Sequence, residues 1–190
     1  MKIGNNKGFT LIEVIVVAGI IAILAGILVP IIFKEIDESK ITRASADIKS
    51  ISTVMFVFRK DTGAWPLMDG NCSPTITFLT GAGNLDPNLA GLGYDTSVAT
   101  SFDAHFSSNT NNCYSPNWKG PYIAQVSADP WGNAYITNAN GFAIAGQPVW
   151  IISAGPNRQL ETNANDTALQ GDDIGVRIAG GSAGGAGAAK

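Results

Sequence analysis

From Val14 to Phe33 the chain reads VIVVAGIIAILAGILVPIIF, twenty residues without a charge or an amide side chain. A helix of that length extends about 30 Å, the thickness of a bilayer's hydrocarbon core. Lys2 and Lys7 precede the run, and the mixed set Lys34, Glu35, Asp37, Glu38 and Lys40 follows it. The positive-inside bias therefore places the N-terminus in the cytoplasm and everything after Lys34 across the membrane. The length of 190 residues suits one folding unit beyond that span. A formal net charge of −3, with no Lys/Arg cluster, argues against a nucleic-acid surface.

A secretory signal peptide or a plain single-pass anchor is the simpler reading of such a run. An ordinary signal, however, has a short apolar region followed by small residues at the cut. Here the stretch is long, and Pro30-Ile31-Ile32-Phe33 offers no small-x-small exit. Glu13 is harder to place. A carboxylate at the edge of an apolar span costs a few kcal/mol unless it is paired or neutralised, and a simple anchor has no use for it.

Beyond the run the pattern turns amphipathic. Ile41, Ala44, Ile48, Ile51, Met55 and Phe58 recur at three- and four-residue steps, one stripe of a helix that seats a sheet. The helix is expected to stop near Asp61-Thr62-Gly63, with Lys60 at its negative end. As one helix, residues 9–60 extend about 78 Å. Pro30 removes one intrahelical hydrogen bond and invites a kink or a melted turn, with Gly26 adding weakness four residues earlier.

Leu67 to Asn117 is rich in turn formers and reads as loops with one short helix near Asn88–Leu92. Cys72 and Cys113 lie there; in an oxidising compartment they permit one intramolecular disulfide, the alternative being two free thiols. Closing a loop of about 42 residues supplies about 4 kcal/mol by restricting the unfolded chain. Short β-prone runs follow at Gly120–Ile123, Ala134–Thr137, Phe142–Ile144 and Val149–Ser153, separated by Asn/Gly/Pro turns. The expected class is α+β: a long N-terminal helix, half transmembrane and half amphipathic, packed on a small antiparallel sheet. No catalytic constellation stands out, so an enzyme is not expected. His105 sits in Ser/Asn-rich sequence and reads as an exposed bystander; Gly81-Ala82-Gly83-Asn84 lacks the Lys-Ser/Thr of a phosphate loop.

Lys7-Gly8-Phe9-Thr10-Leu11-Ile12-Glu13 resembles the cleavage motif of type IV pilins and type II secretion pseudopilins. The resemblance implies that a prepilin peptidase cuts after Gly8 and that Phe9 becomes a methylated N-terminus, with Glu13 fifth in the mature chain. The new amine of one subunit then meets Glu13 of a neighbour in a low-dielectric filament core. Leaving either partner alone there costs several kcal/mol, so the pair sets the axial register.

Further motifs are similar to those of the major pseudopilin of type II secretion. They are Asp61-Thr62-Gly63-Ala64-Trp65-Pro66, Trp118-Lys119-Gly120-Pro121-Tyr122-Ile123 and Asp129-Pro130-Trp131-Gly132-Asn133-Ala134-Tyr135. Ser153-Ala154-Gly155-Pro156-Asn157 and Gly171-Asp172-Asp173-Ile174-Gly175 resemble the family's C-terminal loop, which binds calcium. By that correspondence Asp172 and Asp173 supply carboxylates, Asn157 a side-chain carbonyl, and Ala154 and Gln159 backbone oxygens; the alternative is a solvated acidic turn. Two departures stand out. Asn157 replaces the usual aspartate, lowering ligand charge and affinity, and the segment from Asn157 to Asp172 is longer than usual.

The pilin fold so implied divides the chain into a cleaved leader (1–8), a transmembrane and filament-core helix (9–33), its amphipathic half (34–62), a globular head (63–178) and a flexible Gly/Ala tail (179–190). The expected function is that of a homopolymerising subunit of a secretion pseudopilus. Its expected partners are the inner membrane, prepilin peptidase, an assembly platform with its ATPase, and minor pilins or pseudopilins. The expected location is the bacterial inner membrane for a single-pass precursor, then a periplasmic or extracellular filament. A surface type IV pilus serving adhesion, motility or DNA uptake, and a non-polymerising anchored binding protein, are the competing readings.

Overall fold

A computed structural model describes residues 8–180; Met1–Lys7 of the expected leader and residues 181–190 of the expected tail lie outside them. The chain forms two units, one ending at Ser39 and the other starting at Lys40. Helix α1, Leu11–Thr62, supplies the helical residues of the first unit and the opening of the second.

Among the described residues of the first unit, the helix has no partner for its apolar side chains. Leu11 is 77% exposed and Leu28 51%, and among the described residues this is the one helix long and apolar enough to cross a membrane. Pro30 lies inside the helix, which continues through it without a melted turn. A proline ring crowds the carbonyl four residues earlier. Here that residue is Gly26, around which no side-chain or distant backbone atom comes within 4 Å of a notional Cβ.

In the second unit α1 buries Ala44, Ile48, Ile51, Met55 and Phe58, the expected stripe less its first member, since Ile41 stays 40% exposed. Gly63, at φ +76°, ends the helix with its N–H on the Arg59 carbonyl at 2.8 Å, a left-handed cap that favours glycine.

The sheet has five strands: β1 (Phe78–Thr80), β2 (Ala99–Ser101), β3 (Ile136–Thr137), β4 (Pro148–Ser153) and β5 (Ile174–Gly180). Their order is β2-β1-β3-β4-β5. It is mixed rather than antiparallel throughout. β1 pairs with β2 in parallel, Phe78 opposite Ala99, while β1–β3, β3–β4 and β4–β5 are antiparallel. The long connection from Thr80 to Ala99 permits that parallel step, since a two-residue hairpin cannot make one.

Several local expectations shift. Val149–Ser153 forms the body of β4, and Ala134–Thr137 contracts to β3. Gly120–Ile123 is irregular, with a cis Gly120–Pro121 bond, and Phe142 closes a 3₁₀ turn at Ala139–Phe142, with Ala143 and Ile144 after it outside any strand. Asn88–Leu92 is a run of turns; the short helix is α2, Phe102–Phe106, capped by Ser101 accepting from the Ala104 N–H. β5 continues two residues into the segment read as tail.

All six residues of β4 are buried, because the strand is covered on both faces. Ile151 joins the core under α1 with Ile48, Ile51, Met55 and Phe58. Trp150 and Ile152 cluster with Phe78 of β1 and with Leu89, Tyr94 and Leu160 from the surrounding loops. A strand covered on both faces reads as a continuous apolar run, which is how Val149–Ile152 appears in the sequence.

Candidate functional site

The chemistry-bearing residues fall into three places. At the N-terminal end Gly8 is exposed and Phe9 is 89% exposed. Thr10 stands just before α1, and its N–H and hydroxyl each donate to Glu13 Oε2 at 2.8 Å. The Glu13 N–H returns to Thr10 Oγ1 at 3.4 Å. This is a capping box, which satisfies backbone donors that a helix start leaves open. Glu13 therefore has a use within its own chain that the sequence reading missed, although Thr-x-x-Glu before an apolar run signals it. Its second oxygen, Oε1, makes no hydrogen bond among the described residues.

The second place is the loop between β4 and β5. Gly155 turns at φ +66°, and a Cβ there would run into the Asp172 carbonyl oxygen, so the two ends of the loop close directly on each other. Asp172 Oδ2 accepts from the Asn157 N–H at 2.9 Å, and Asn157 Oδ1 accepts from the Gln159 N–H at 2.7 Å. Asp173 is buried; its Oδ2 accepts from the Glu161 and Thr162 N–H groups at 3.0 and 2.7 Å. Desolvation raises its carboxyl above the ordinary range, against the lowering effect of those donors. Asp172 Oδ1 and Asp173 Oδ1 are both buried without a hydrogen-bond partner.

Asn157, Gln159, Asp172 and Asp173 are thus brought into one loop system, with Ala154 buried at its base. Among the described residues no group of three or more His, Cys, Asp or Glu side chains forms a metal cluster. What the loop offers instead is two bare carboxylate oxygens, one amide oxygen and backbone carbonyls. That all-oxygen set suits a hard cation such as Ca²⁺ and does not suit a soft one.

The third place is the disulfide Cys72–Cys113, which realises the single pairing two cysteines allow. Beside it a cavity of about 220 Å³ is lined by Met68, Asp69, Ile76, His105, Cys113 and Tyr114. His105 is only 4% exposed and not a surface bystander. The Phe102-x-x-His105-Phe106 spacing turns His105 inward with the two phenylalanines, one short helical face. Its Nδ1 lies 3.3 Å from the Tyr114 hydroxyl, which accepts from the Met68 N–H at 3.0 Å. Nε2 is buried without a partner, and burial pushes the imidazole down to about 4, leaving it neutral at physiological pH.

Two family models match the chain. Residues 3–29 match the prokaryotic N-terminal methylation motif, and residues 97–172 match type II secretion system (T2SS), protein G. Type II secretion system core protein G of Pseudomonas aeruginosa is 29% identical over 136 residues, 71% of this chain and 75% of that one. The Escherichia coli (strain K12) protein of the same name is 26% identical over 163 residues, 86% and 90% of the two chains. That of Vibrio cholerae is 26% identical over 135 residues, 70% and 71%. No solved structure matches the chain significantly. With the methylation motif on its exposed apolar helix and a protein G region across its head, the chain is similar to the type II secretion system core protein G of these bacteria.

Proposed function

We propose that this chain is the building block of a secretion pseudopilus, a filament subunit anchored in the inner membrane as a precursor and assembled into the periplasm. The carrying observation is the N-terminal end. A peptidase-type motif leads into a helix whose apolar side chains have no intramolecular cover, and Glu13 stands at its entry with one oxygen unengaged. Bundling such helices buries their apolar faces against each other when subunits leave lipid. The amine created at Phe9 then gives the free side of Glu13 a cation, and leaving that acid unpaired in the core is costly.

The partners that follow are further copies of the chain, a prepilin peptidase acting between Gly8 and Phe9, an assembly platform with its ATPase, and minor pseudopilins. Addition of subunits at the platform lengthens the filament and pushes exported proteins outward. The role is structural rather than catalytic. The loop of Asn157, Gln159, Asp172 and Asp173 takes Ca²⁺ in this reading, supported by the two buried, unpartnered carboxylate oxygens. When bound, the ion would offset the repulsion between the adjacent aspartates and fix the loop that joins β4 to β5.

The test is electron microscopy of purified filaments with mass spectrometry of the N-terminal peptide. Filaments whose subunits begin at an N-methylated Phe9 are expected. Filament material that retains Met1 overturns the processing step, and a chain that never polymerises overturns the reading.

A further inference from the structure

The charges of the second unit are segregated. Between residues 40 and 62 there are five basic and two acidic side chains; between 63 and 180 there are three basic and nine acidic. The described ion pairs do little to cancel this. Arg43 pairs with Asp47 inside α1 at 3.7 Å, and Lys119, one of the three basic residues of the body, is taken by Asp61 of α1 at 3.6 Å. None of the nine carboxylates of the body joins an ion pair among the described residues, and neither do Lys49, Arg59 or Lys60.

Arg59 is placed in a particular way. Its guanidinium lies 4.0 Å over the ring of Trp65, which stacks on Phe142 at 4.0 Å and 18°. Phe56, 47% exposed, flanks the same ring at 6.2 Å. Stacking uses the face of a guanidinium and leaves its in-plane N–H donors pointing outward. None of those donors reaches an acceptor among the described residues. An oriented, unpaired arginine on an aromatic platform is the kind of anchor that dominates protein interfaces.

We propose that this platform of Phe56, Arg59, Trp65 and Phe142 receives a carboxylate-bearing surface from the body of a second copy of the chain. The inference rests on the filament reading above and names a contact between heads within it. Two different patches on one molecule, complementary to each other, make a heterologous contact that propagates, and unless the rotation closes a ring the product is an open helical filament. Charge complementarity selects the partner and the direction of stacking, since like-to-like contact of two platforms or two acidic bodies is repulsive.

The experiment places the photo-cross-linker p-benzoylphenylalanine at Phe56 in the full chain and irradiates filaments verified by microscopy. Mass spectrometry is expected to find dimers linked from position 56 to a peptide within residues 63–180. Links only to the neighbour's residues 9–62, to other proteins or to lipid overturn the proposal. Alongside it, Arg59→Glu with Lys60→Glu is expected to lower filament yield roughly tenfold, while Arg59→Lys keeps most of it; a circular-dichroism melt of each detergent-solubilised chain checks folding. Equal yield from a folded charge-reversed chain overturns the inference alone. Absence of filaments from the parent chain overturns the filament reading, and this contact with it.

Discussion

Both donors of Thr10, its amide and its hydroxyl, end on the same oxygen of Glu13, each at 2.8 Å. One carboxylate therefore carries a helix cap within the chain and, in the proposed filament, a charge for a neighbour, and substitutions separate the two loads. Glu13→Gln keeps an acceptor for Thr10 and the cap with it, but removes the charge. Glu13→Ala removes both, at about 1 kcal/mol for the cap. Filament yield, measured by sedimentation and microscopy, is expected to collapse in both variants. If Glu13→Gln polymerises with the parent's subunit spacing, the cap is the essential load and the electrostatic account of assembly fails.

How far the sequence alone reaches is clearest in α1 and β4. The helix from Ala44 to Phe58 and the continuous apolar strand Val149–Ile152 each carry a pattern longer than one turn or one pair, and both were legible. β1 and β2 were not. Each has three residues, and β2 alternates exposed and half-buried, so neither carries enough periodicity to stand out from loop sequence. Their parallel pairing depends on a contact across a long connection, which no local pattern encodes. His105 was misread for a related reason: its inward face lasts a single helical turn, in a segment whose neighbours are polar. At the candidate sites the acidic pair Asp172–Asp173 was legible as a motif, but the burial of one oxygen on each was not, because it follows from how the loop closes at Gly155.

The disulfide is expected to supply a large share of the head's stability. It closes 41 residues of sequence separation across a region with little regular structure. Replacing Cys72 and Cys113 together by Ser is expected to cost about 4 kcal/mol, the loop-closure entropy returned to the unfolded chain. Denaturant melts of the detergent-solubilised full chain measure it, the parent with and without reductant serving as control. A loss under about 1 kcal/mol shows that the loop holds itself.

His105 gives stability a defined acid limb. Its folded-state value is lowered to about 4 by burial, against about 6.5 for a free imidazole. The folded chain thus binds fewer protons than the unfolded one between those two values. The stabilising contribution is complete above pH 6.5 and drains as pH falls toward 4, with a slope of up to about 1.4 kcal/mol per pH unit. Melts at pH 7 and pH 5 are expected to differ for the parent, and the His105-dependent part of that difference is expected to vanish in His105→Gln. An unchanged pH dependence in that variant assigns the acid limb to the carboxylates instead.

The loop between β4 and β5 leads to the last prediction. Two aspartates in sequence, one of them buried, leave an oxygen each without a donor, and such bare acceptors are expensive in a folded interior. In the proposed reading a bound cation would supply the missing partner for both. Asn157 carries no charge, so the affinity is expected in the weak range of extracellular modules, toward millimolar. A ligand that binds only the folded state at ten times its dissociation constant stabilises by about 1.4 kcal/mol. About ten millimolar Ca²⁺ is therefore expected to raise the melting temperature of the full chain, with a smaller effect from Mg²⁺, which tolerates fewer geometries. Asp173→Asn is expected to abolish the response, and Asn157→Asp to shift it to lower Ca²⁺ by adding a carboxylate. If Ca²⁺ leaves the melting curves of both the parent and Asn157→Asp unmoved, the two oxygens are satisfied by water and the loop is an ordinary acidic turn.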